Sequence, residues 1–349
     1  MGITCQQSRA GAVTFTMTAM GGTMSVEGNG RVALGRTGLA VSRLSFGTAA
    51  LGGMPEAFGY AVESDRASAT LRTIFASPVN FIDTARNYGH GRSEERIGAV
   101  LREIGGLPEG FVLSTKLDRD FSTNHFDAVR ARTSLEHSLA ALGLDRIPLL
   151  NLHDPEHAAD LTDITRPGGA LSELFSMREE GLAEAVGLAA GRVDVMMPLL
   201  TDWDFDAIIT HNRFTLVNRN AEEMIDFCAA RGIAVLNAAP YASGVLAKGA
   251  DTGTRYAYQE PTEEMLSPVR RIEAICAAYG VPTGAAALQF SLRDKRITST
   301  IIGVTRPERV AQTLEWAEWP IPDALWDELM ALPFATDDPE TTRQSVHSG

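Results

Sequence analysis

Beyond residue 30 the chain alternates between two patterns. Short runs that are apolar at nearly every position, rich in Val, Ile and Leu, are separated by longer stretches with apolar residues at helical spacing. The runs are LSFGT (44–48), FIDTA (81–85), FVLSTKL (111–117), IPLLNLHD (147–154), AEAVGLAA (183–190), DAIITHN (206–212), IAVLNAAP (233–240) and TSTIIGV (298–304). Continuous apolarity over so few residues predicts strands buried on both faces. The stretches SEERIGAVLREI (93–104), FDAVRARTSLEHSLAALG (126–143) and NAEEMIDFCAARG (220–232) predict helices, with Ser93 and Asn220 as N-caps and Gly143 and Gly232 as stops. Eight strands alternating with helices predict a parallel sheet, and eight is the number that closes a (β/α)8 TIM barrel. RVALGRTGLAVSRLSFG predicts a short hairpin leading into the first strand.

Two helices, 262–280 and 283–294, decorate the connection between the seventh and eighth strands, and WAEWPIPDALWDEL (316–329) predicts a helix pair closing the barrel or making a subunit contact. The expected organisation is one barrel domain over residues 31–335, a loose N-terminal tail over 1–30 and a C-terminal tail over 336–349. The first thirty residues hold AGAVTFTMTAMGG, whose threonines and glycines make a weak centre for a secretory signal. A loose tail, or an overlong start before Met17, Met20 or Met24, fits better.

Composition narrows the function classes. The chain has 349 residues, is 44% hydrophobic and 21% charged, and carries a net charge of −13, which disfavours binding to a phosphate backbone. Cys5, Cys228 and Cys276 form no Cys-x-x-Cys pair, which suits a reducing, cytoplasmic setting without a disulfide frame. No apolar run reaches the length of a membrane span. Monomer and homo-oligomer stay equally open.

In such barrels the chemistry sits at the C-terminal ends of the strands. There the second run places Asp83 and its loop Tyr88, the third Lys116, and the fourth His153 with Asp154 beside it. A lone Asp at a strand end is ordinarily a cap or a loop ion pair, a lone Lys a solvated edge, and a lone His a core residue. Together, on successive strand ends, they make a tuned acid/base. An ammonium lowers the pKa of a neighbouring phenol, an Asp keeps that ammonium charged, and an imidazole donates to a carbonyl oxygen or relays a proton. Proton exchange at an oxygen accompanies hydride transfer between an alcohol and a carbonyl. His153, Asp154 and His157 also offer ligands to a metal, but Pro155 disfavours the helix that would align both imidazoles, so no metal is expected.

The block FIDTA-x-x-YG-x-G-x-SE-x-x-IG-x-x-L, the Ser-Thr-Lys of STKL and LLNLHD resemble the aldo-keto reductases, from about Arg31 over nearly the whole remaining chain. The resemblance implies a catalytic tetrad of Asp83, Tyr88, Lys116 and His153, and NAD or NADP lying across the barrel mouth without a Rossmann domain. It implies Gly47 and Thr48 near the nicotinamide ribose and Tyr241 stacked on the nicotinamide ring. Ser243, Gly244 and Leu246 would follow the pyrophosphate, and Gly303, Thr305, Arg309, Gln312 and Thr313 would line the adenine end. A helix beginning near Pro307 would point its N-terminus at an anion. Three positions depart from the pattern. Ala189-Ala190 stands where Ser-Asn often holds the carboxamide, and Asn212, beside His211, where a Gln is common. Gly303 stands where a Lys often meets the 2′-phosphate, which favours NAD although Arg306 and Arg309 remain.

Within that family the loops HNRFTLVNRN, APYASGVLA and LHDPEH are most similar to bacterial aldose 1-dehydrogenases of the L-fucose, L-galactose or D-threo-aldose type, with pyridoxal 4-dehydrogenase a near relative. The implied reaction is oxidation of an aldose at C1 to the lactone. Pyridoxal oxidation or general aldehyde and ketone reduction are alternatives, as is a non-catalytic cofactor-binding subunit. Phe58, Tyr60 and residues 249–260 are expected as substrate walls.

Overall fold

The computed structural model describes residues 30–55 and 59–341, together with the backbone of two strands near the start. The chain divides into two compact units, Met1–Arg31 and Val32–Gly349. In the first, β1 (Ile3–Gln7) and β2 (Val13–Met17) pair antiparallel. This is the segment expected as a loose tail; its other residues before Gly30, and Phe58, lie outside the described residues.

The expected hairpin is present: β3 (Arg31–Ala33) pairs with β4 (Ala40–Ser42). Its turn passes through Gly35 at φ +56, where a Cβ would lie 2.7 Å from the Asp206 carbonyl oxygen. Only glycine fits so close to a backbone in that conformation.

Each of the eight apolar runs is a strand, within two residues at either end. They are β5 (Leu44–Gly47), β6 (Phe81–Asp83), β7 (Val112–Leu117), β8 (Ile147–His153), β9 (Ala183–Ala189), β10 (Ala207–His211), β11 (Ala234–Ala238) and β12 (Ser299–Gly303). They close a barrel in the order β10-β11-β12-β5-β6-β7-β8-β9, with parallel neighbours. The helices are α1 (Ser64–Phe75), α2 (Arg92–Ile104), α3 (Ala128–Leu142), α4 (Thr162–Thr165), α5 (Ala170–Glu179), α6 (Val193–Asp202), α7 (Glu222–Ala230), α8 (Val245–Lys248), α9 (Glu263–Ala278), α10 (Thr283–Leu292), α11 (Pro307–Ala317) and α12 (Asp323–Met330). Among the described residues no single helix is long and apolar enough to cross a membrane.

Strand alternation decides what fills the barrel. Phe81, Val112, Leu149, Ala185, Ala207 and Ala234 form one apolar inner layer, sealed by Leu34 and Val41 of the hairpin, while Ile82, Leu113 and Leu150 pack outward against the helices. Two residues further along, the same inward positions are Asp83, Ser114 and Asn151, and beyond them Lys116 and His153. The polar groups at the mouth are therefore the upper storeys of the columns whose lower storeys are core.

Two expected caps are corrected. Helix α2 starts from Gly91 at φ +97, and the Ser93 hydroxyl instead lies 2.8 Å from Thr48 Oγ1 and 3.0 Å from Thr84 Oγ1. Helix α7 is led by Ala221, while Asn220 Nδ2 donates to the Thr336 carbonyl at 2.7 Å. In both cases a residue suited to capping serves a tertiary contact. Gly143 does end α3 in the left-handed conformation. Of the tryptophan segment, Trp316 lies in the last turn of α11 and fills the space above Gly284 of α10, where a Cβ would stand 2.2 Å from its ring. The C-terminal tail is tied to the barrel as far as Glu340: Asn218 Nδ2 donates to the Asp337 carbonyl at 2.9 Å, Gln259 Nε2 to the Pro339 carbonyl at 2.8 Å, and Arg213 pairs with Glu340 at 3.0 Å.

Candidate active site

The site is organised around one ammonium. Lys116 Nζ lies 2.9 and 2.8 Å from the two Asp83 oxygens, 2.6 Å from the Thr84 carbonyl and 3.2 Å from the Tyr88 hydroxyl oxygen. Its side chain is only 2% exposed and that of Asp83 only 6%. Ser114 Oγ also donates to Asp83, at 2.9 Å, and Thr48 donates through its N–H and hydroxyl to the Asp83 carbonyl, each at 3.0 Å. Because Lys116 donates into the phenol oxygen, the Tyr88 proton is left for a partner other than Lys116.

The Gly-x-Gly turn brings Tyr88 to this point. A Cβ on Gly89, at φ +64, would meet the Gly52 carbonyl oxygen at 2.1 Å, and one on Gly91 would overlap the Arg86 guanidinium. The two glycines permit close packing of the loop as well as its turn. Arg86 in turn pairs at 3.0 Å with buried Glu94, whose carboxyl is pushed up by burial despite a 2.6 Å bond from Thr115 Oγ1.

His153 completes the group. Its ring stands edge-on to Tyr88, with centroids 5.8 Å apart and planes at 83°. Nδ1 lies 2.6 Å from Asp118 Oδ1, and Nε2 lies 3.6 Å from Asp154 Oδ2. Burial favours the neutral ring, yet Asp154 and Asp118 outweigh it and hold the imidazole above its ordinary value. Asp154 adopts φ +45 and leads directly into a 3-10 turn over Pro155–His157, so His153 and His157 share no helix face. Burial opposes ionisation of Asp154, but His153, His211, His157 and Arg119 together keep its carboxyl below the usual range.

Tyr88 departs from expectation. Its hydroxyl is held well above the ordinary phenol value, first by burial, then by the Asp83, Asp154 and Asp118 charges. Burial and these three carboxylates outweigh the neighbouring Lys116 ammonium. The site as it stands keeps a proton on Tyr88.

The expected cofactor residues divide into two groups. Thr48, Leu246 and Thr313 have committed side chains: the Thr48 hydroxyl goes to Asp83, Leu246 is fully buried in the core, and the Thr313 hydroxyl donates to the Arg309 carbonyl at 2.7 Å. Gly47 and Gly303 close neighbouring strands, paired at Gly303–Gly47. The chain is left-handed at Ser243 and Gly244, ahead of α8, and Ser243 Oγ accepts from the Tyr258 N–H at 2.9 Å. Tyr241 rests edge-on against Trp316, 6.2 Å between centroids, and among the described residues its buried hydroxyl finds no hydrogen-bond partner, nor does Asn212 Oδ1. Arg309 bonds Gln312, and Thr305 is half-buried in the β12–α11 loop.

Lys248, which the sequence reading passed over, lies within the electrostatic reach of Arg306 and Arg309, and burial together with those two cations pushes its ammonium down. No carboxylate of the described residues pairs with any of the three. Unpaired cations, the open backbone at Gly303 and orphaned buried polar atoms suit a dinucleotide with its phosphates. Ala189 and Ala190 are buried and offer no hydrogen-bonding side chain.

Two further residues at the mouth, Asp118 and Arg213, have signals of differing strength. Asp118 continues the inward alternation of 112, 114 and 116, so strand period alone pointed to it. Arg213, 2% exposed at its side chain, is held by Asp338 at 2.8 Å and Glu340 at 3.0 Å, and Glu340 also reaches His211 Nε2 at 3.1 Å and Asn212 Nδ2 at 3.3 Å. Only the charges of DDPE hinted at that. Tyr258 stands 5.9 Å from His211, so the 249–260 segment reaches the mouth, and Tyr60 lies 5.5 Å from Lys248 Nζ.

Residues 43–332 match the aldo/keto reductase family. The chain is 33% identical over 319 residues to a D-threo-aldose 1-dehydrogenase of Pseudomonas, covering 84% of this chain and 94% of the relative. It is 31% identical over 346 residues to the pyridoxal 4-dehydrogenase of Microbacterium luteolum, covering 88% and 98%. An aldo-keto reductase of Bacillus halodurans in its holo form shares the fold, with a TM-score of 0.71 at 19% identity, over 90% of this chain and 99% of that one. The chain belongs to the aldo/keto reductase family and is an NAD(P)-dependent oxidoreductase.

Proposed function

We propose that the protein oxidises an aldose at C1 of its ring hemiacetal to the lactone, with Tyr88 as the general acid/base, Lys116 and Asp83 holding it, and His153 assisting. The observation that carries this reading is the junction at Lys116 Nζ, which joins Asp83 and Tyr88 through hydrogen bonds while His153 stands edge-on to the same phenol. In the forward direction the hydroxyl proton passes to the deprotonated Tyr88 oxygen as hydride leaves C1; in reverse the Tyr88 phenol returns that proton to the substrate oxygen. A bound nicotinamide would supply the hydride acceptor and, when oxidised, a positive charge that offsets the carboxylates around Tyr88. Tyr241, Asn212, Ser243 and Gly244 would hold it near the ring and pyrophosphate, and Lys248, Arg306 and Arg309 at the phosphates. Gly303, with no side chain to meet a 2′-phosphate, favours NAD. The similarity to an aldose dehydrogenase over most of both chains supports the substrate class. Pyridoxal is the second reading, favoured by the relative matched over 98% of its length.

A panel of aldoses, aldehydes and pyridoxal, assayed with NAD and NADP through the absorbance of the reduced cofactor, tests the substrate. Tyr88→Phe tests the chemistry. Turnover should fall by roughly 100-fold or more while cofactor affinity is kept, and full retained activity would sink the assignment.

A further inference from the structure

Asp118 lies two residues beyond Lys116, inside the mouth, at 1% exposure. Each of its carboxylate oxygens receives one donor. Oδ1 lies 2.6 Å from His153 Nδ1, and Oδ2 accepts from the Asn87 backbone N–H at 2.7 Å. Asn87 is the residue immediately before Tyr88. The backbone of Asp118 is itself fastened to α3, its N–H donating to Ser134 Oγ at 3.0 Å and its carbonyl accepting from Arg130 Nε at 2.9 Å. Among the described residues, the basic side chain within ion-pair distance of its carboxylate is His153, charged when protonated. A buried carboxylate is costly unless its hydrogen bonds are made, and here both go to the two segments that carry the reacting groups.

We propose that Asp118 is the positioning residue of this site, registering the His153 ring and the Tyr88 loop on one side chain so that His153 Nε2 faces the reacting oxygen. This rests on the reading that Tyr88 and His153 exchange the substrate proton. With Nδ1–H fixed on the carboxylate, the neutral ring carries its proton on Nδ1 and the charged ring carries one on each nitrogen. Nε2 therefore gives or takes one proton without the ring turning, the arrangement of a base oriented by a third group. Asp118 touches no reacting atom. The charged or titratable groups around His153 are Lys116 and Asp118 from β7 and its end, Asp154 from its own strand and Tyr88 from the β6 loop; His157, His211 and Arg119 surround Asp154.

The test compares full-length wild type, Asp118→Ala and Asp118→Asn, each checked by thermal melting. Steady-state rates across pH 5–10 are combined with titration of 15N-labelled histidine by NMR, the His153 signal being assigned with His153→Gln. Asp118→Ala should lower kcat by roughly 100-fold with cofactor affinity unchanged. Loss of a negative neighbour should move the His153 titration, and the acid limb of oxidation with it, to lower pH. Asp118→Asn offers one oxygen to two donors, so it serves His153 or Asn87 and should fall between wild type and Ala. A kcat loss with an unmoved His153 titration would overturn the proposal, as would an unchanged kcat. If Asp118→Ala fails to fold, wild-type NMR still decides: a neutral His153 protonated on Nε2 refutes the geometry, and one protonated on Nδ1 upholds it. If instead Tyr88→Phe is fully active, the proposed chemistry fails whatever Asp118 does, whereas an inactive Tyr88→Phe beside an unmoved His153 sinks only the role of Asp118.

Discussion

Replacing Lys116 by Met removes an ammonium that bonds both Asp83 oxygens, the Thr84 carbonyl and the Tyr88 hydroxyl. Asp83 is then left with the Ser114 hydroxyl alone at its carboxylate, in a place where it is 4% exposed. Breaking a buried ion pair by removing one partner costs about 3–5 kcal/mol, because an uncompensated charge stays inside. Solvent screens little at this depth, so the full range is expected here. Asp83→Asn in the same background removes the stranded charge, and the double variant should recover part of the loss, with a coupling energy of about 1–3 kcal/mol. Urea denaturation of the four proteins of the cycle measures this from the shift in midpoint at constant slope. Turnover of Lys116→Met should fall by roughly 100- to 10,000-fold, since the phenol loses its fixed donor. Additive stabilities, or a single variant within about 0.5 kcal/mol of wild type, would refute the reasoning that one ammonium is the shared partner of Asp83 and Tyr88.

Two further outcomes follow from other parts of the mouth. A Cβ at Gly303 meets nothing within 4 Å, so Gly303→Lys should fold normally and add a cation near Arg306; the ratio of kcat/KM for NADP over NAD should rise by about tenfold, and an unchanged ratio would mean that position 303 does not face the 2′ position. Replacing Asp338 by Asn and Glu340 by Gln strips Arg213, 2% exposed at its side chain, of both charges while the segment that covers it stays in place; denaturation should show a loss of about 3–5 kcal/mol, and wild-type stability would show these ion pairs to be peripheral.

What could be read ahead of the structure follows physical locality. The barrel strands were legible because a strand buried on both faces writes continuous apolarity into a few adjacent residues, as in FVLSTKL and IPLLNLHD. Asp83, Lys116 and His153 were legible because they break that apolarity at strand ends. Asp118 was equally available from the alternation of Val112, Ser114 and Lys116, and was missed because it lies one residue past the run. Ser93 and Asn220 misled for a different reason. The chemistry that makes them good caps also makes them good tertiary partners, and only the fold decides which use prevails. The proton affinity of Tyr88 is set first by burial and then by Asp83, Asp154 and Asp118, which come from three segments, so its pairing with Lys116 alone does not give the direction of the shift. The bonds from Asp338 and Glu340 to Arg213 span more than a hundred residues and leave no local pattern at all.

The mouth carries charge of two signs in separate places. Asp83, Asp118, Asp154 and Glu156 come from the ends of β6, β7 and β8, whereas Lys248, Arg306 and Arg309 come from the segments after β11 and β12. In a chain with net charge −13, a cluster of three cations without a carboxylate partner among the described residues leaves a positive face suited to phosphates. On the opposite side, burial together with Asp154 holds the Glu156 carboxyl above its usual range, while Asp154 itself stays ionised beside His153 Nε2. A phosphorylated aldehyde would bring its anion toward that ionised carboxylate. A neutral sugar brings hydroxyls that a carboxylate accepts from. On the proposed reading the two ends of the site would take different partners: the phosphates of the dinucleotide at β11 and β12, and an uncharged, hydroxyl-rich substrate at β6 to β8. The proposed aldose oxidation needs both.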